Sequence, residues 1–268
     1  MRHLSAALRA LAIALPVAAA RTAAAGETTA TRVDFLDSPA VIGLGHWQFD
    51  PVFPLLPGPQ EHVVSNFTSH FTSPVVSVNP SQAMQLRAAG SYAADELPLE
   101  TANDRLRRLH GFSDVSLGAQ WRVRGGDAGW LPGVAWLADV ESTTGTPDFR
   151  GPVFRPSLRA TAQWALQPDL SLGLMPGIYR DRDDVGKHYA AGVLALTLGK
   201  AWTPRLHTFF EVAGERLTQS QHGGSSVTLY TGIAFRATRS LRFEAIVSHG
   251  LAGDSRNAQG GVGVSSRF

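Results

Sequence analysis

The second half of the sequence alternates polar and apolar residues with a period of two. In the segment 112–123, Leu117 and Trp121 fall on one face of an extended strand, and Asp114 and Gln120 fall on the other. The alternation recurs in nine segments: 112–123, 132–141, 157–166, 170–179, 189–200, 206–217, 227–237, 241–249 and 258–268. Each has about the length that a tilted strand needs to cross a membrane. The pattern therefore predicts an all-β protein.

Eight connections join these nine segments. Read back from the last segment, they alternate between long and short. Outer-membrane β-barrels combine long outer loops with short periplasmic turns. A soluble barrel has no reason to sort its loops in this way. The alternation therefore predicts a transmembrane antiparallel β-barrel whose last strand ends on the periplasmic side.

The first part of the chain has less regular strand patterns, at 46–53, 61–71 and 84–92. Because bacterial barrels have an even number of strands, we predict about twelve, with ten as the alternative. The segment 93–110 carries charged residues and leucines, among them Leu99, Leu106 and Leu109. We predict that this segment is a solvated loop. The alternative is a short helix that lies in an outer loop or folds into the lumen.

The last segment ends on an aromatic residue, Phe268. Val262 and Val264 share its face, which we expect to contact lipid, whereas Gly263 and Arg267 fall on the opposite face. A terminal aromatic resembles the signal that the barrel-assembly machinery of Gram-negative bacteria recognises, so Phe268 is the predicted assembly signal. An edge strand of a soluble β protein is the alternative for this segment alone.

Residues 1–25 have the pattern of a secretory signal peptide. Arg2 and Arg9 precede an apolar run over 10–20, and three alanines precede Gly26. The run is too short for a membrane helix, which needs about 20 apolar residues. We predict that the segment is cleaved and that 26–268 forms one barrel domain in the bacterial outer membrane.

The charge balance excludes a nucleic-acid partner. The chain has 24 basic and 22 acidic residues, and residues 1–25 hold three arginines and no acidic residue, so the predicted mature chain is close to neutral. The chain also has no cysteine, which excludes disulfides, thiolate metal sites and a lipid-modified cysteine. The predicted partners are a small-molecule solute, outer-membrane lipid and lipopolysaccharide, and the barrel-assembly machinery.

The sequence has no motif for catalysis, such as G-x-S-x-G, H-E-x-x-H or a phosphate-binding glycine loop. His62 and His70 lie eight residues apart, without the spacing of metal ligands, and we predict that they are surface residues. Asp181, Asp183 and Asp184 are typical of a solvated acidic turn, with a site for calcium or lipopolysaccharide-bridging cations as the alternative. We predict a protein that is not an enzyme and has no cofactor or metal.

In a barrel pore, the polar side chains that face the lumen select the solute. The alternation of side chains along the strands gives the candidate lumen-lining residues: Asp114, Gln120, Arg122, Asp139, Glu141, Arg159, Gln163, Glu211, Glu215, Arg236, Arg242, Glu244 and Arg267. Both charge signs are present, which predicts ion pairs across the lumen. These pairs could line a water-filled channel, or they could fill a narrow barrel with no path through it.

Three stretches resemble a known family. They are GFSDVSLGAQWRV at 111–123, STTG at 142–145 and SHGLAGDSRNAQGGVGVSSRF at 248–268. The sequence from residue 111 onward resembles the outer-membrane transporter family labelled putative MetA-pathway of phenol degradation, although Thr143 stands where that family usually has proline. The resemblance implies an outer-membrane pore for small molecules, with hydrophobic or aromatic compounds as candidate solutes.

The function predicted from the sequence is therefore passive passage of small molecules through an outer-membrane channel. Three alternatives remain at this point. The barrel could carry a lipid-active enzymatic site, or it could be a closed structural or adhesive barrel. A soluble periplasmic β protein would instead have an apolar interior.

Overall fold

The computed structural model describes residues 36–56, 75–81, 83–97, 107–125, 130–183, 185–219, 222, 224–253 and 258–268. The predicted signal peptide and the predicted strand 61–71 lie outside these residues and stay predictions. The described strands are β1 (Trp47–Phe49), β2 (Val52–Leu56), β3 (Val75–Ser81), β4 (Met84–Ala89), β5 (Tyr92–Leu97), β6 (Arg107–Phe112), β7 (Ser116–Arg124), β8 (Gly133–Glu141), β9 (Arg155–Gln167), β10 (Leu170–Arg182), β11 (His188–Ala201), β12 (Leu206–Leu217), β13 (Ser226–Arg236), β14 (Leu241–Ala252) and β15 (Ala258–Arg267). Within this part of the chain, no helix is long and apolar enough to cross a membrane.

The sheet closes on itself because β15 pairs with β14 on one side and with both β1 and β2 on the other. β1 and β2 are two parts of one strand, which is interrupted at Asp50 and Pro51. The Val264 N–H still donates to the carbonyl of Pro51 at 3.0 Å across this interruption. Counted in this way, the closed antiparallel barrel has twelve strands, so the predicted fold class and strand number are confirmed.

The connections between barrel strands lie alternately on two rims. The C-terminal rim carries the connections 82–83, 125–132, 168–169, 202–205 and 237–240, together with Phe268. The loop rim carries the connections 90–115, 142–154, 183–187, 218–225 and 253–257. The contrast in length is weaker than the sequence predicts, since 125–132 is longer than 183–187. The reason is that β10 and β11 stay paired out to Arg182 and His188.

The prediction of a loop or short helix over 93–110 is wrong for 93–97 and 107–110, which are strands, whereas 98–106 lie outside the described residues. Strands β5 and β6 pair antiparallel, with Ala94 opposite His110. They follow directly on β4 and β7, whose own pairing ends at Ala89 and Ser116. The hairpin thus continues that pair on the loop-rim side, because cross-strand pairing satisfies backbone groups that a loop would leave to water.

Strand β3 was not predicted either, because its residues lie in a stretch rich in serine, asparagine and proline. Ser77 and Asn79 are buried, while Val76 is exposed on the opposite face. The polar residues that hid this strand in the sequence are therefore its interior face.

Apolar side chains face outward on the barrel wall. On β7, Leu117 and Trp121 are about three-fifths exposed, whereas Gln120 between them is 3% exposed. β11 repeats this arrangement, with Leu196 exposed and Thr197 buried. An apolar outer belt around a partly polar interior is the pattern of a membrane barrel and the inverse of a soluble one. The protein is accordingly a bacterial outer-membrane barrel.

Candidate functional site in the barrel lumen

An N-terminal segment lies inside the barrel. Residues 36–46 precede β1, and we call them the luminal segment. Leu36, Val41 and Ile42 are buried although they belong to no strand. The segment ends at the C-terminal rim, where the His46 ring lies 2.9 Å from the carbonyl oxygen of Phe268. The lumen is thus occupied by the chain itself.

Side chains of the barrel wall bind the backbone of this segment. The Leu36 N–H donates to the Glu211 carboxylate at 3.1 Å, and the Gln120 amide donates to the Ser38 carbonyl at 2.7 Å. The Ile42 N–H donates to the Gln85 side chain at 3.0 Å. An extended segment without a partner strand has unpaired backbone groups, and burying them unpaired would be costly. The polar wall residues replace the missing strand.

Asp37 of the luminal segment joins two arginines from different strands. Its carboxylate lies 2.8 Å from Arg87 on β4 and 2.9 Å from Arg159 on β9. Arg159 also contacts Asp139 at 2.6 Å, and the Thr161 hydroxyl donates to the Asp37 carbonyl. All four charged side chains of this group are largely buried, so two positive and two negative charges compensate one another within the lumen. We call Arg87 and Arg159 the arginine pair.

The lumen has an apolar side next to this charged one. Leu36 packs against buried residues that point inward from β10, β11 and β12, which we call the apolar wall: Met175, Tyr179, Ala191, Val193, Ala195 and Ala213. Met175, Ala195 and Ala213 are fully buried. Consecutive side chains of the luminal segment therefore meet opposite chemistry, since Leu36 meets the apolar wall and Asp37 meets the arginine pair.

Asp114, a predicted lumen residue, holds a loop of the loop rim. Its carboxylate accepts the backbone N–H of Gly145 and that of Gly151, each at 2.7 Å. A Cβ on Gly145 would lie 2.9 Å from the carboxylate, and a Cβ on Gly151 would lie 2.8 Å from it. The carboxylate would therefore have to shift to make room for a side chain at either position. Two of the stretches that carry the family resemblance contact each other here.

A second charged group lies near the loop rim. Arg155 contacts Glu141 closely and lies 3.8 Å from Asp181. Arg155 and Asp181 are buried. The alternation along β10 places Asp181 inward, so it is not part of a solvated acidic turn, and Asp184 lies outside the described residues. Among the described residues, no group of three His, Cys, Asp or Glu side chains could hold a metal ion.

The inward-facing charges near the C-terminal rim form a separate group. Arg242 and Glu244 lie 2.5 Å apart, and Arg267 is buried on the neighbouring strand β15. Arg236 instead donates to the carbonyl of Pro204 in an exposed turn, at 2.7 Å. These charges therefore lie on the barrel wall near the C-terminal rim.

The structure places the predicted lumen residues in different surroundings. Gln120, Arg159, Gln163 and Glu211 contact the luminal segment directly. Asp139 acts through Arg159. Arg122 is half-buried toward the C-terminal rim, and the Glu215 side chain lies outside the described part of the structure. Lining a solute path remains a prediction for all of them.

Sequence reasoning missed residues that matter most to this site. Arg87 could have been found, because it alternates with exposed Leu86 on a predicted strand. Met175 and Tyr179 are buried apolar residues, which a search for polar lumen residues does not identify. Asp37 had no signal, because it precedes the first predicted strand.

The loop rim carries one more polar contact, between the connections 183–187 and 218–225. Nδ1 of His222 lies 3.0 Å from the Asp183 carboxylate. The His222 ring also stacks on Tyr189, with ring centres 4.6 Å apart and planes inclined by 3°. We call this contact the loop latch, because it ties two loops of the loop rim together.

The family model described as "Putative MetA-pathway of phenol degradation" matches residues 64–268. The chain belongs to this family. The match covers the barrel from before β3 to the last residue, so the resemblance seen in the sequence is confirmed. Comparison with curated proteins gives no match for this member of the phenol-degradation family.

Solved structures with the same fold are outer-membrane proteins. The COG4313 outer membrane channel from Pseudomonas putida F1 is similar with a TM-score of 0.58 at 12% identity, over 85% of this chain and 97% of that chain. A KdgM porin in complex with disordered oligogalacturonate has a TM-score of 0.54 at 11% identity, over 82% of this chain and 99% of that chain. At these identities the likeness concerns the fold, and the fold is that of outer-membrane channels.

Proposed function

We propose that this family member is a passive outer-membrane channel for small molecules, with a preference for apolar or aromatic compounds. The apolar wall carries the proposal, because it lies inside the barrel beside the arginine pair. A pore for strongly polar solutes gains nothing from buried methionine, tyrosine and valine in its lumen. A ligand with an apolar body does, since such sites combine apolar lining with a few polar groups.

In the proposal, the luminal segment closes the channel and moves aside during passage. Its contacts are side-chain hydrogen bonds and ion pairs rather than a continuous strand pairing. The segment can therefore leave while the twelve-strand ladder stays intact. The polar wall groups exposed by its departure would then be solvated by water in the lumen.

Single-channel conductance in planar bilayers tests the proposal. The folded protein is compared with a variant in which residues 36–42 are replaced by glycine and serine, and with Val185→Ser as a control in an exposed loop. Heat-modifiability on gels is used to check that each barrel is folded. We expect the segment variant to conduct more than the natural chain, and small aromatic solutes to reduce its current. A folded, inserted segment variant without conductance would contradict the channel and favour a closed structural barrel.

The loop latch gives the enzymatic alternative one specific observation. Asp183 and His222 form the acid and base of a possible triad, and Ser225 lines the same cleft. The Ser225 hydroxyl, however, donates to the Thr218 carbonyl and accepts the Thr218 N–H. A serine nucleophile would instead have to donate to the histidine. Phospholipid or ester hydrolysis that is lost in Ser225→Ala would establish the alternative.

A further inference from the structure

We propose that the arginine pair and the apolar wall together form a binding site for small apolar carboxylates, and that the luminal segment occupies this site as an internal competitor. The biological use of this site rests on the proposed channel function. The site itself does not, because all the residues that form it are among the described residues. Two consecutive residues of the segment carry the argument.

Asp37 supplies the charged half of the mimic. The Asp37 carboxylate accepts a hydrogen bond from Arg159 at 2.9 Å and forms an ion pair with Arg87 at 2.8 Å, and a free carboxylate ligand can use both contacts. Arginine presents several N–H donors in a planar fork that suits carboxylate geometry. Asp139 holds Arg159 from the other side at 2.6 Å and so fixes its position whether or not Asp37 is present.

Leu36 supplies the apolar half. Its side chain is 5% exposed and packs into the apolar wall with Met175 and Tyr179. Successive side chains of an extended segment point in opposite directions, so one dipeptide reaches both the apolar wall and the arginine pair. A molecule with a carboxylate at one end and a phenyl or short alkyl group a few carbons away has the same profile. Phenylpropionate is such a molecule.

Competition follows from the charge balance. With Asp37 in place, the arginine pair is neutralised and a carboxylate solute gains little by approaching it. With Asp37 removed, Arg87 and Arg159 together have only Asp139 among the partners described above, and a buried surplus of positive charge favours an anion. A solute that binds here must therefore displace the tip of the luminal segment, which couples ligand binding to opening.

The test uses the full-length folded protein and its Asp37→Asn variant, which keeps the side-chain size but removes the charge. Binding of 3-phenylpropionate is measured by calorimetry, beside its uncharged analogue 3-phenylpropionamide and inorganic phosphate. We expect Asp37→Asn to bind 3-phenylpropionate about tenfold more tightly than the natural chain or better, as for removal of a buried charged competitor. Neither 3-phenylpropionamide nor phosphate should gain as much.

A second arm follows the segment itself. Because the chain has no cysteine, Ser38→Cys provides a single thiol on the luminal segment. We expect 3-phenylpropionate to speed labelling of this thiol by a maleimide, and 3-phenylpropionamide to leave the rate unchanged. Adding Arg87→Gln should abolish the effect, with heat-modifiability used to establish that the barrel is folded.

The proposal is overturned if Asp37→Asn binds 3-phenylpropionate no better than the natural chain. It is also overturned if the amide binds equally well, or if phosphate gains as much, since that would reduce the site to a general anion site. Carboxylate binding in a barrel without conductance would support the site and contradict the channel. Conductance without carboxylate selectivity would support the channel and contradict the site.

Discussion

Glu211 accepts a hydrogen bond from the backbone N–H of Leu36, a residue 175 positions earlier in the chain. The Glu211 side chain is fully buried on β12 and also accepts from the Thr197 hydroxyl on β11. One carboxylate thus joins two barrel strands to the luminal segment. Through this buried carboxylate, the barrel wall fixes the position of Leu36.

Replacing Glu211 tests how firmly the wall holds the segment. We expect Glu211→Ala to loosen residues 36–42, because the Leu36 N–H loses its acceptor at a cost of about 1–3 kcal/mol. Hydrogen exchange at these amides, followed by mass spectrometry, should become faster. Glu211→Gln keeps an acceptor oxygen and serves as the control. Unchanged exchange in Glu211→Ala would contradict the role given to this bond.

The membrane belt predicts a strong effect of charge on the outer face. Leu196 lies within β11, faces outward and is half exposed. We expect Leu196→Arg to reduce the free energy of unfolding in lipid vesicles by about 2–4 kcal/mol if the residue lies near the midplane. Val185→Arg, in a connection of the loop rim, should have little effect. Equal effects of the two substitutions would contradict the assignment of the outer face.

We predict that the Asp114 carboxylate keeps the loop 142–154 in a fixed conformation. Without it, the N–H groups of Gly145 and Gly151 lose charged acceptors, which contribute about 1.5–3 kcal/mol each. We expect Asp114→Ala to increase the rate of tryptic cleavage after Arg150, which lies in this loop. Asp148→Ala, an exposed change in the same loop, is the control. Equal cleavage in both variants would mean that Asp114 does not hold the loop.

The loop latch predicts a pKa change at Asp183. Burial raises the pKa of this carboxyl, but the Lys187 N–H and the His222 ring outweigh burial and hold the pKa below its ordinary value. A lowered folded-state pKa stabilises the latch above the unfolded pKa, and this contribution is lost as the pH falls through the folded pKa. We expect His222→Ala to move the Asp183 pKa upward.

Carbon NMR of the labelled carboxyl groups measures that change. His249→Ala, a substitution on the outward face of β14, is the control and should leave the Asp183 titration where it is. An Asp183 titration that is the same in His222→Ala and in the natural chain would contradict the latch.

Much of the barrel follows from local pattern. Alternation of polar and apolar residues with period two determines which side chain faces which side of a strand. For Gln120 and Leu117, no partner is needed to know that they point apart. Nine of the twelve barrel strands follow as well, because the residues of β7 to β15 each carry this pattern. The hairpin of β5 and β6 does not, since its pairing is set by β4 and β7, which it continues.

By itself, the sequence determined the class of protein, the outward and inward faces and the order of most strands, because these depend on residues close to one another in the chain. Tertiary structure alone decided what fills the lumen. Asp37 meets Arg87 and Arg159 only after the barrel closes, and Leu36 meets Met175 only because β10 to β12 bring apolar residues to the same level. Contacts between residues so far apart in the chain leave no periodic trace. The pattern of the sequence therefore does not predict the luminal segment, whose position depends on the barrel wall around it.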